Sequence, residues 1–73
     1  MCPPDGVEVT IAELEALRLI DYMDKTFEEA AKAMGASKAT VWRLVSTARR
    51  KIVQAIVEGR PICIVIGGVI EPS

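Results

Sequence analysis

The sequence predicts a mainly α-helical domain of three helices built around a helix-turn-helix, with a long third helix and a C-terminal β-strand. Three observations predict it. Residues 26–45, TFEEAAKAMGASKATVWRLV, read as two short helices meeting at Gly35. Apolar residues recur every three or four positions before, within and after that stretch, which is the period of a helix. After Pro61 the pattern changes to the unbroken β-branched run Ile62-Cys63-Ile64-Val65-Ile66, which reads as a strand.

With 73 residues, one domain spanning 1–73 is expected, with a thin core that association can supplement. Hydrophobic residues make up 51 % of the chain, which argues against disorder and leaves apolar surface that another copy could cover. The net charge of -1 says nothing for a polyanionic partner, but its distribution does. Residues 1–24 carry six acids and one base, residues 25–51 seven bases and two acids, and residues 52–73 one base and two acids. Positive charge is concentrated on the helix-turn-helix and its extension, the asymmetry that matters for nucleic acid.

Residues 1–6, MCPPDG, are turn-like, because two prolines block regular hydrogen bonding and Asp5-Gly6 suits a turn. Val7-Glu8-Val9 alternates and reads as a very short strand. Thr10 with Glu13 three residues on forms a capping box and opens a helix over about 11–23. Glu13 and Glu15 lie in its early turns, where the helix dipole favours acids. Leu14, Leu17 and Ile20 are the expected core positions of this helix, with Ala16, Leu19 and Met23 broadening its apolar face. Thr26 and Glu29 repeat the capping box, and Phe27, Ala30, Ala31 and Met34 give the buried face of a second helix over about 27–34. Gly35 follows the last helical residue, where a positive φ is commonly required. Ser37 caps the third helix, over about 38–58, and no acid stands in the capping-box position, which is Thr40. Val41, Leu44, Val45, Ala48, Ile52, Ala55 and Ile56 form one apolar stripe, and Gly59 ends the helix. The strand, over about 62–66, is expected to be covered on both faces. Gly67-Gly68 reads as a turn or a fraying point, and Val69-Ile70 as either more strand or part of a disordered end.

Met1 is followed by prolines and acids rather than by a secretory leader, and the longest apolar run, residues 62–70, is far too short to span a bilayer. A cytoplasmic, reduced protein is the default expectation. Cys2 and Cys63 are accordingly expected as free thiols, with a bridge between them the less favoured alternative. The chain has no histidine, no paired-cysteine motif and no acid–base cluster. Neither a catalytic residue, a metal site nor a cofactor is expected, and Cys63 in its apolar strand is expected to be packed rather than nucleophilic.

The candidate site lies on the third helix. In residues 27–46, Ala31 is small enough for two helices to cross closely, Gly35 makes the turn, and Val41 and Leu44 dock the third helix on the second. The outward face then carries Ser37, Lys38, Ala39, Trp42, Arg43 and Ser46. The start of a recognition helix enters the major groove, so Lys38, Ala39, Trp42 and Arg43 are candidates for base edges, Arg43 with a geometry that suits guanine. Ser37 and nearby amides can hold a phosphate. Thr40 either reaches a phosphate or bonds back to Ala36. Arg49, Arg50 and Lys51 extend the basic surface as phosphate contacts. The plain alternative is that these cations form a solvated helix face. Trp42 can stack on the first helix, pack at a partner interface or lie on DNA sugars, and its size favours a covered position.

Residues 15–59, EALRLIDYMDKTFEEAAKAMGASKATVWRLVSTARRKIVQAIVEG, resemble a small prokaryotic family of uncharacterised predicted DNA-binding proteins. That family is related to the helix-turn-helix of region four of the housekeeping sigma factors. The resemblance is carried by Glu13, Glu15, Ala16, Leu17, Arg18, Leu19 and Asp21, then by Glu28, Glu29, Ala30, Ala31, Met34, Gly35, Ser37, Arg43, Ala48, Arg49, Lys51, Ala55 and Gly59. It implies a DNA-binding, regulatory role and no reaction. Similar members usually carry a longer N-terminal segment with additional basic and cysteine residues.

Double-stranded DNA is therefore the expected partner, with a transcriptional regulator as the leading reading. The alternative is a protein-interaction module that uses the same fold without specific DNA binding. A homodimer through the strand and the long helix is expected, since one such unit has a small footprint on DNA and a lone apolar strand leaves an unpaired edge. The strand can pair with residues 7–9 of its own chain, with its counterpart in a second copy, or with both. No membrane association is expected.

Overall fold

The computed structural model describes residues 2–66. The chain is mainly helical with a small two-stranded parallel sheet. Strand β1 (Val7–Thr10) leads directly into helix α1 (Ile11–Leu17), which continues as a wider, π-helical turn over Arg18–Tyr22. Helices α2 (Phe27–Met34) and α3 (Lys38–Glu58) follow, and strand β2 (Ile62–Val65) returns beside β1. The expectations for Gly67-Gly68 and Val69-Ile70 lie outside the described residues.

The starts of α1 and α2 are determined by reciprocal caps. The Thr10 N–H donates to Glu13 Oε1 at 2.9 Å while the Glu13 N–H donates to Thr10 Oγ1 at 3.1 Å. Thr26 and Glu29 repeat this at 2.9 and 3.0 Å. Each box satisfies two backbone donors that an α-helix leaves without an internal partner. The ends of α2 and α3 share one device: Gly35 and Gly59 both adopt φ 63°, ψ 37°. The next residue then donates back into the helix, Ala36 to the Ala31 carbonyl and Arg60 to the Ala55 carbonyl, each at 2.9 Å. A Cβ on Gly35 would meet nothing within 4 Å, so only backbone strain opposes a side chain there. Gly35→Ala is expected to lower the unfolding free energy by about 1 kcal/mol, and Gly35→Asn by less, because asparagine tolerates the left-handed region. Urea midpoints of the two variants check this, and an alanine variant as stable as the parent would contradict it.

The first helix departs from the expected regular helix over 11–23. After Leu17 the hydrogen bonds lengthen in register: the Met23 N–H reaches the Arg18 carbonyl at 2.9 Å, and the Lys25 N–H reaches the Leu19 carbonyl at 2.8 Å. Asp24, at φ 57°, reverses the chain before α2; aspartate is among the few residues that tolerate this conformation. The buried face also differs from the expectation. Ala16 and Leu19 are buried, Leu17 and Ile20 pack at the margin, and Leu14 is 39 % exposed. A small residue at the crossing lets α1 approach α3 closely, and that approach, rather than side-chain size, selects the buried positions.

The core joins Ala16, Leu19, Ala30, Ala31, Val41 and Val45, with Phe27, Met34 and Leu44 packed around it. A second buried group flanks it, with Val7 and Val9 of β1 and Ala48 and Ala55 of α3. The apolar stripe of α3 is covered only in part. Val41, Val45, Ala48 and Ala55 are buried, Ile52 is half-buried, and Ile56 is 72 % exposed. Helices α1 and α2 cover the earlier turns of α3, and the short β1 is too small to cover the last ones.

The sheet resolves the pairing of β2 within the chain. Val7 pairs with Ile62, Glu8 with Cys63, Val9 with Ile64 and Thr10 with Val65, in parallel. The strand is not covered on both faces as expected: Ile62 and Ile64 are exposed, and Cys63 and Val65 are half-buried. Cys2 and Cys63 form a disulfide with their Cα atoms 5.6 Å apart, which corrects the expectation of free thiols. Residue spacing could not show this, because only the β1–β2 pairing carries Cys63 beside the N-terminal turn. Arg60 adds a second tie, its Nε donating to the Asp5 carbonyl at 2.7 Å. No helix among the described residues is long and apolar enough to cross a membrane.

Candidate functional site

The residues singled out on α3 separate into those that face outward and those committed to the fold. Ser37 caps α3: its Oγ accepts from the Thr40 N–H at 3.1 Å and donates to Thr40 Oγ1 at 2.9 Å. Thr40 therefore bonds to the capping hydroxyl rather than back to Ala36. The first turn of α3 holds no acid, so the partial positive charge of its amide end is not neutralised by a carboxylate there. Lys38, Ala39, Trp42, Arg43 and Arg50 are exposed, and Ser46 is half-buried. Trp42 is 59 % exposed. Of the positions expected for it, packing in the core is thereby overturned: the buried face of α3 is formed by Val41, Val45 and Ala48, and Trp42 does not share it.

The basic run from Arg49 to Lys51 does not act as one surface. Arg49 holds Asp21 with two hydrogen bonds, Nε to Oδ2 at 2.8 Å and Nη2 to Oδ1 at 2.6 Å. Lys51 Nζ donates to both oxygens of Glu13, at 2.9 and 3.1 Å. The two cations tie the end and the beginning of the first helical element to α3. Of the three, only Arg50 has no ion-pair partner among the described residues. Counting Arg49 and Lys51 as free phosphate contacts is therefore corrected: successive residues point in different directions around a helix, and acids of the first element meet two of them.

Glu13 is the one buried charged residue among those described, 8 % exposed. Burial alone pushes its carboxyl up, but hydrogen bonds from Lys51 and Thr10 and the Lys51 charge together bring it below its ordinary value. The hydrogen bond from Arg49 lowers Asp21 in the same direction. In the sequence Glu13 announced itself only as a cap. Its second role needs the crossing of α1 over α3.

Among the described residues the cations divide cleanly. Arg18, Arg49, Lys51 and Arg60 each hold a carboxylate. Lys25, Lys32, Lys38, Arg43 and Arg50 hold none, and all five are exposed. Lys25 and Lys32, just before and on α2, were not among the residues singled out from the sequence. The signal that could have found them is their placement opposite or outside the Phe27/Ala30/Ala31/Met34 face. The unpaired cations belong to α2, α3 and the turn before them, and they supply donors without any buried nucleophile or acid–base pair beside them. A shallow apolar depression on the other side of the first element, lined by Leu14, Leu17 and Tyr22, is flanked by Arg18 and Asp21, both already engaged.

Comparison with known proteins finds one matching family, described as "Protein of unknown function DUF134", whose pattern matches residues 2–72. Among curated relatives, a "UPF0251 protein" of Archaeoglobus fulgidus is 55 % identical over 65 residues, covering 89 % of this chain and 62 % of its own length. A "UPF0251 protein" of Thermococcus kodakarensis is 48 % identical over 66 residues, covering 90 % of this chain and 58 % of its own. One from Methanothermobacter thermautotrophicus is 53 % identical over 57 residues, which is 78 % of this chain and 30 % of that protein. The chain thus spans about three-fifths of the length of the first two. No solved structure matches it.

Proposed function

The chain belongs to the family described as protein of unknown function DUF134, and from that premise we propose that it binds double-stranded DNA as a transcriptional regulator. In this reading α2, the turn at Gly35 and α3 form a helix-turn-helix like that of sigma region four, and the start of α3 enters the major groove. The observation that carries it is the division of the cations. Lys38, Arg43 and Arg50 lie outward and unpaired along α3, with Lys25 and Lys32 unpaired just before and on α2, while Arg18, Arg49, Lys51 and Arg60 are each matched by an acid. A merely solvated face would not need this separation. Buried Ala31 and Val41, with Gly35 in the left-handed conformation, support the packing such a unit requires.

Each residue then has a defined role. Arg43 presents a planar fork of donors that matches guanine O6 and N7, and Ala39 leaves room for the groove wall beside it. Lys38 and Arg50 neutralise phosphates, with Lys25 and Lys32 added to that group. Ser37 and Thr40 serve mainly to cap the helix and expose its amide end. Arg49 and Lys51 position α3 on the first helical element. Binding, and no reaction, is the activity proposed, in the cytoplasm.

The test is selection of bound duplexes from a random pool, followed by titration of the selected duplex against a random one at several salt concentrations. Arg43→Ala is expected to weaken binding to the selected duplex by about 10- to 100-fold and to relax the preference at one base pair. Arg50→Ala is expected to weaken both duplexes alike and to reduce the logarithmic salt slope by about 1. The absence of any salt-sensitive preference for a selected duplex would end the reading. A second reading is favoured by the exposure of Trp42, since tryptophan dominates many protein interfaces: a protein-interaction module. It predicts a stable complex with a protein that survives neutralisation of Lys38 and Arg43.

A further inference from the structure

The two strands of the sheet are held unequally. In β1, Val7 and Val9 are buried, so apolar packing seats that strand on the helices. In β2, Ile62 and Ile64 are exposed, and Cys63 and Val65 are only half-buried. What holds β2 is therefore its ties to the start of the chain. These are the ladder to β1, with the Val7 N–H donating to the Pro61 carbonyl at 2.8 Å, the Arg60 bonds to the Asp5 and Gly6 carbonyls, and the Cys2–Cys63 bridge. Hydrogen bonds at the surface exchange for bonds to water with a small net loss, and two four-residue strands form a marginal sheet by themselves. The covalent tie is the one that keeps β2 in place.

That tie is also open to reaction. Cys2 and Cys63 are both half-buried rather than enclosed. Cys2 Sγ stands 3.0 Å from the place a Cβ would take on Gly6, and Arg60 Nη2 donates to the Gly6 carbonyl at 3.4 Å. A guanidinium and a bridge sulfur thus share one turn. Partial exposure beside a cation is the setting in which a cysteine leaves readily as its thiolate. We propose that the Cys2–Cys63 bridge is a redox latch: a dithiol opens it, β2 and the N-terminal turn come away from β1, and β1 stays seated on the folded helices.

In the opening step a thiolate of the dithiol attacks one bridge sulfur, the S–S bond breaks, and the other cysteine leaves as its thiolate and takes up a proton. The second sulfur of the dithiol then displaces the first cysteine from the mixed disulfide. The dithiol ends as a disulfide, having given up two electrons and two protons, and Cys2 and Cys63 end as thiols. The release has a boundary. The core of Ala16, Leu19, Ala30, Ala31, Val41 and Val45 contains no residue of either strand. Thr10 keeps its capping box with Glu13, and Glu13 keeps Lys51. What opens is the edge of β1 that β2 had covered, a row of backbone donors and acceptors of the kind that pairs with another strand. Lys38 and Arg43 lie at the far end of α3, so the latch acts apart from the proposed DNA-reading face and stands or falls without it.

Amide NMR spectra of the full chain, oxidised and then in reduced dithiothreitol without denaturant, test the latch. In the reduced chain the signals of residues 2–6 and 62–65 are expected to move to the values of an unstructured peptide. The signals of α1, α2 and the first half of α3 are expected to stay where they are in the oxidised chain. Replacing the reductant by glutathione disulfide should restore the original spectrum. Cys2→Ser is expected to show the released pattern with and without dithiothreitol, and the reduced parent decides the matter even if that variant does not fold. Four results overturn the latch. They are a bridge that dithiothreitol does not open without denaturant, strand signals unchanged on reduction, loss of the helical signals together with those of the strand, and failure of the bridge to re-form.

Discussion

Reducing the Cys2–Cys63 bridge is expected to lower the unfolding free energy by about 4 kcal/mol, the largest effect of any single covalent change in this chain. The two cysteines are 61 residues apart, so the bridge closes almost the whole chain into one loop. In the chain-entropy account, removing a cross-link over a loop of this length returns about 4 kcal/mol of freedom to the unfolded state. A domain this small has about 5 kcal/mol or little more to lose. The structural consequence is local first. The bridge ties the N-terminal turn to β2, and the sheet it secures has two strands of four residues each, too few to be stable unaided. Without the bridge, that end is held by the Arg60 contacts to Asp5 and Gly6 and by the bond from the Val7 N–H to the Pro61 carbonyl. The core of Ala16, Leu19, Ala30, Ala31, Val41 and Val45 lies elsewhere and is expected to lose its native structure last. Urea unfolding with and without a dithiol reductant, and of Cys2→Ser with Cys63→Ser, measures this. Coincident curves would show that the bridge contributes nothing to stability.

Replacing Lys51 by methionine is expected to cost about 2–3 kcal/mol, because it leaves the Glu13 carboxylate nearly buried with only the Thr10 backbone amide as donor. The price of breaking such a pair exceeds its net worth, so Glu13→Gln combined with Lys51→Met should be less harmful than the sum of the single changes. The pair also predicts a pH dependence. The Glu13 carboxyl titrates below its ordinary value of 4.5 in the folded protein. A group lowered on folding contributes stability that is fully present above its unfolded value and is lost as pH falls through its folded value. Stability is therefore expected to fall on the acid side of about pH 4.5, with Glu15, Asp21, Glu29 and Glu58 shifted in the same direction and contributing to the same limb. Lys51→Met removes the lowering partner and leaves burial, the largest single influence on Glu13. Its acid limb should therefore be shallower than the parent's, because a carboxyl no longer lowered on folding has no such stability to lose as pH falls. Thermal midpoints across pH 3–7 for parent and variant decide the point, and superimposable profiles would contradict it.

Much of the local architecture was legible because its causes are local. Thr10 and Thr26 meet their glutamates three residues away, and Gly35 and Gly59 follow the last helical residues they cap. These interactions close within one turn, so residue types at a given spacing are sufficient to announce them. The outward position of Lys38, Ala39 and Arg43 followed from the same periodicity. Legibility ended where a partner lay far along the chain. Arg49, Arg50 and Lys51 are indistinguishable as a run, yet Arg49 meets Asp21 28 residues away and Lys51 meets Glu13 38 residues away. Trp42 illustrates the same limit from the other side: its size argued for cover, but cover depends on whether another element reaches it.

The amino-acid sequence by itself determined where helices begin and end, that the chain is mainly helical, and where along it basic residues cluster. Only the tertiary structure decided which cations remain free, which residues of α1 are buried, that β2 pairs with β1, and that Cys2 meets Cys63. The physical reason is range. A cap or a helical period is satisfied by neighbours within a turn, whereas burial and ion pairing depend on how far a packed element extends. An apolar stripe specifies that a helix face is to be covered. How much of that face the rest of the chain can cover is settled by packing, and on α3 it leaves Val53, Ile56 and Val57 open to solvent.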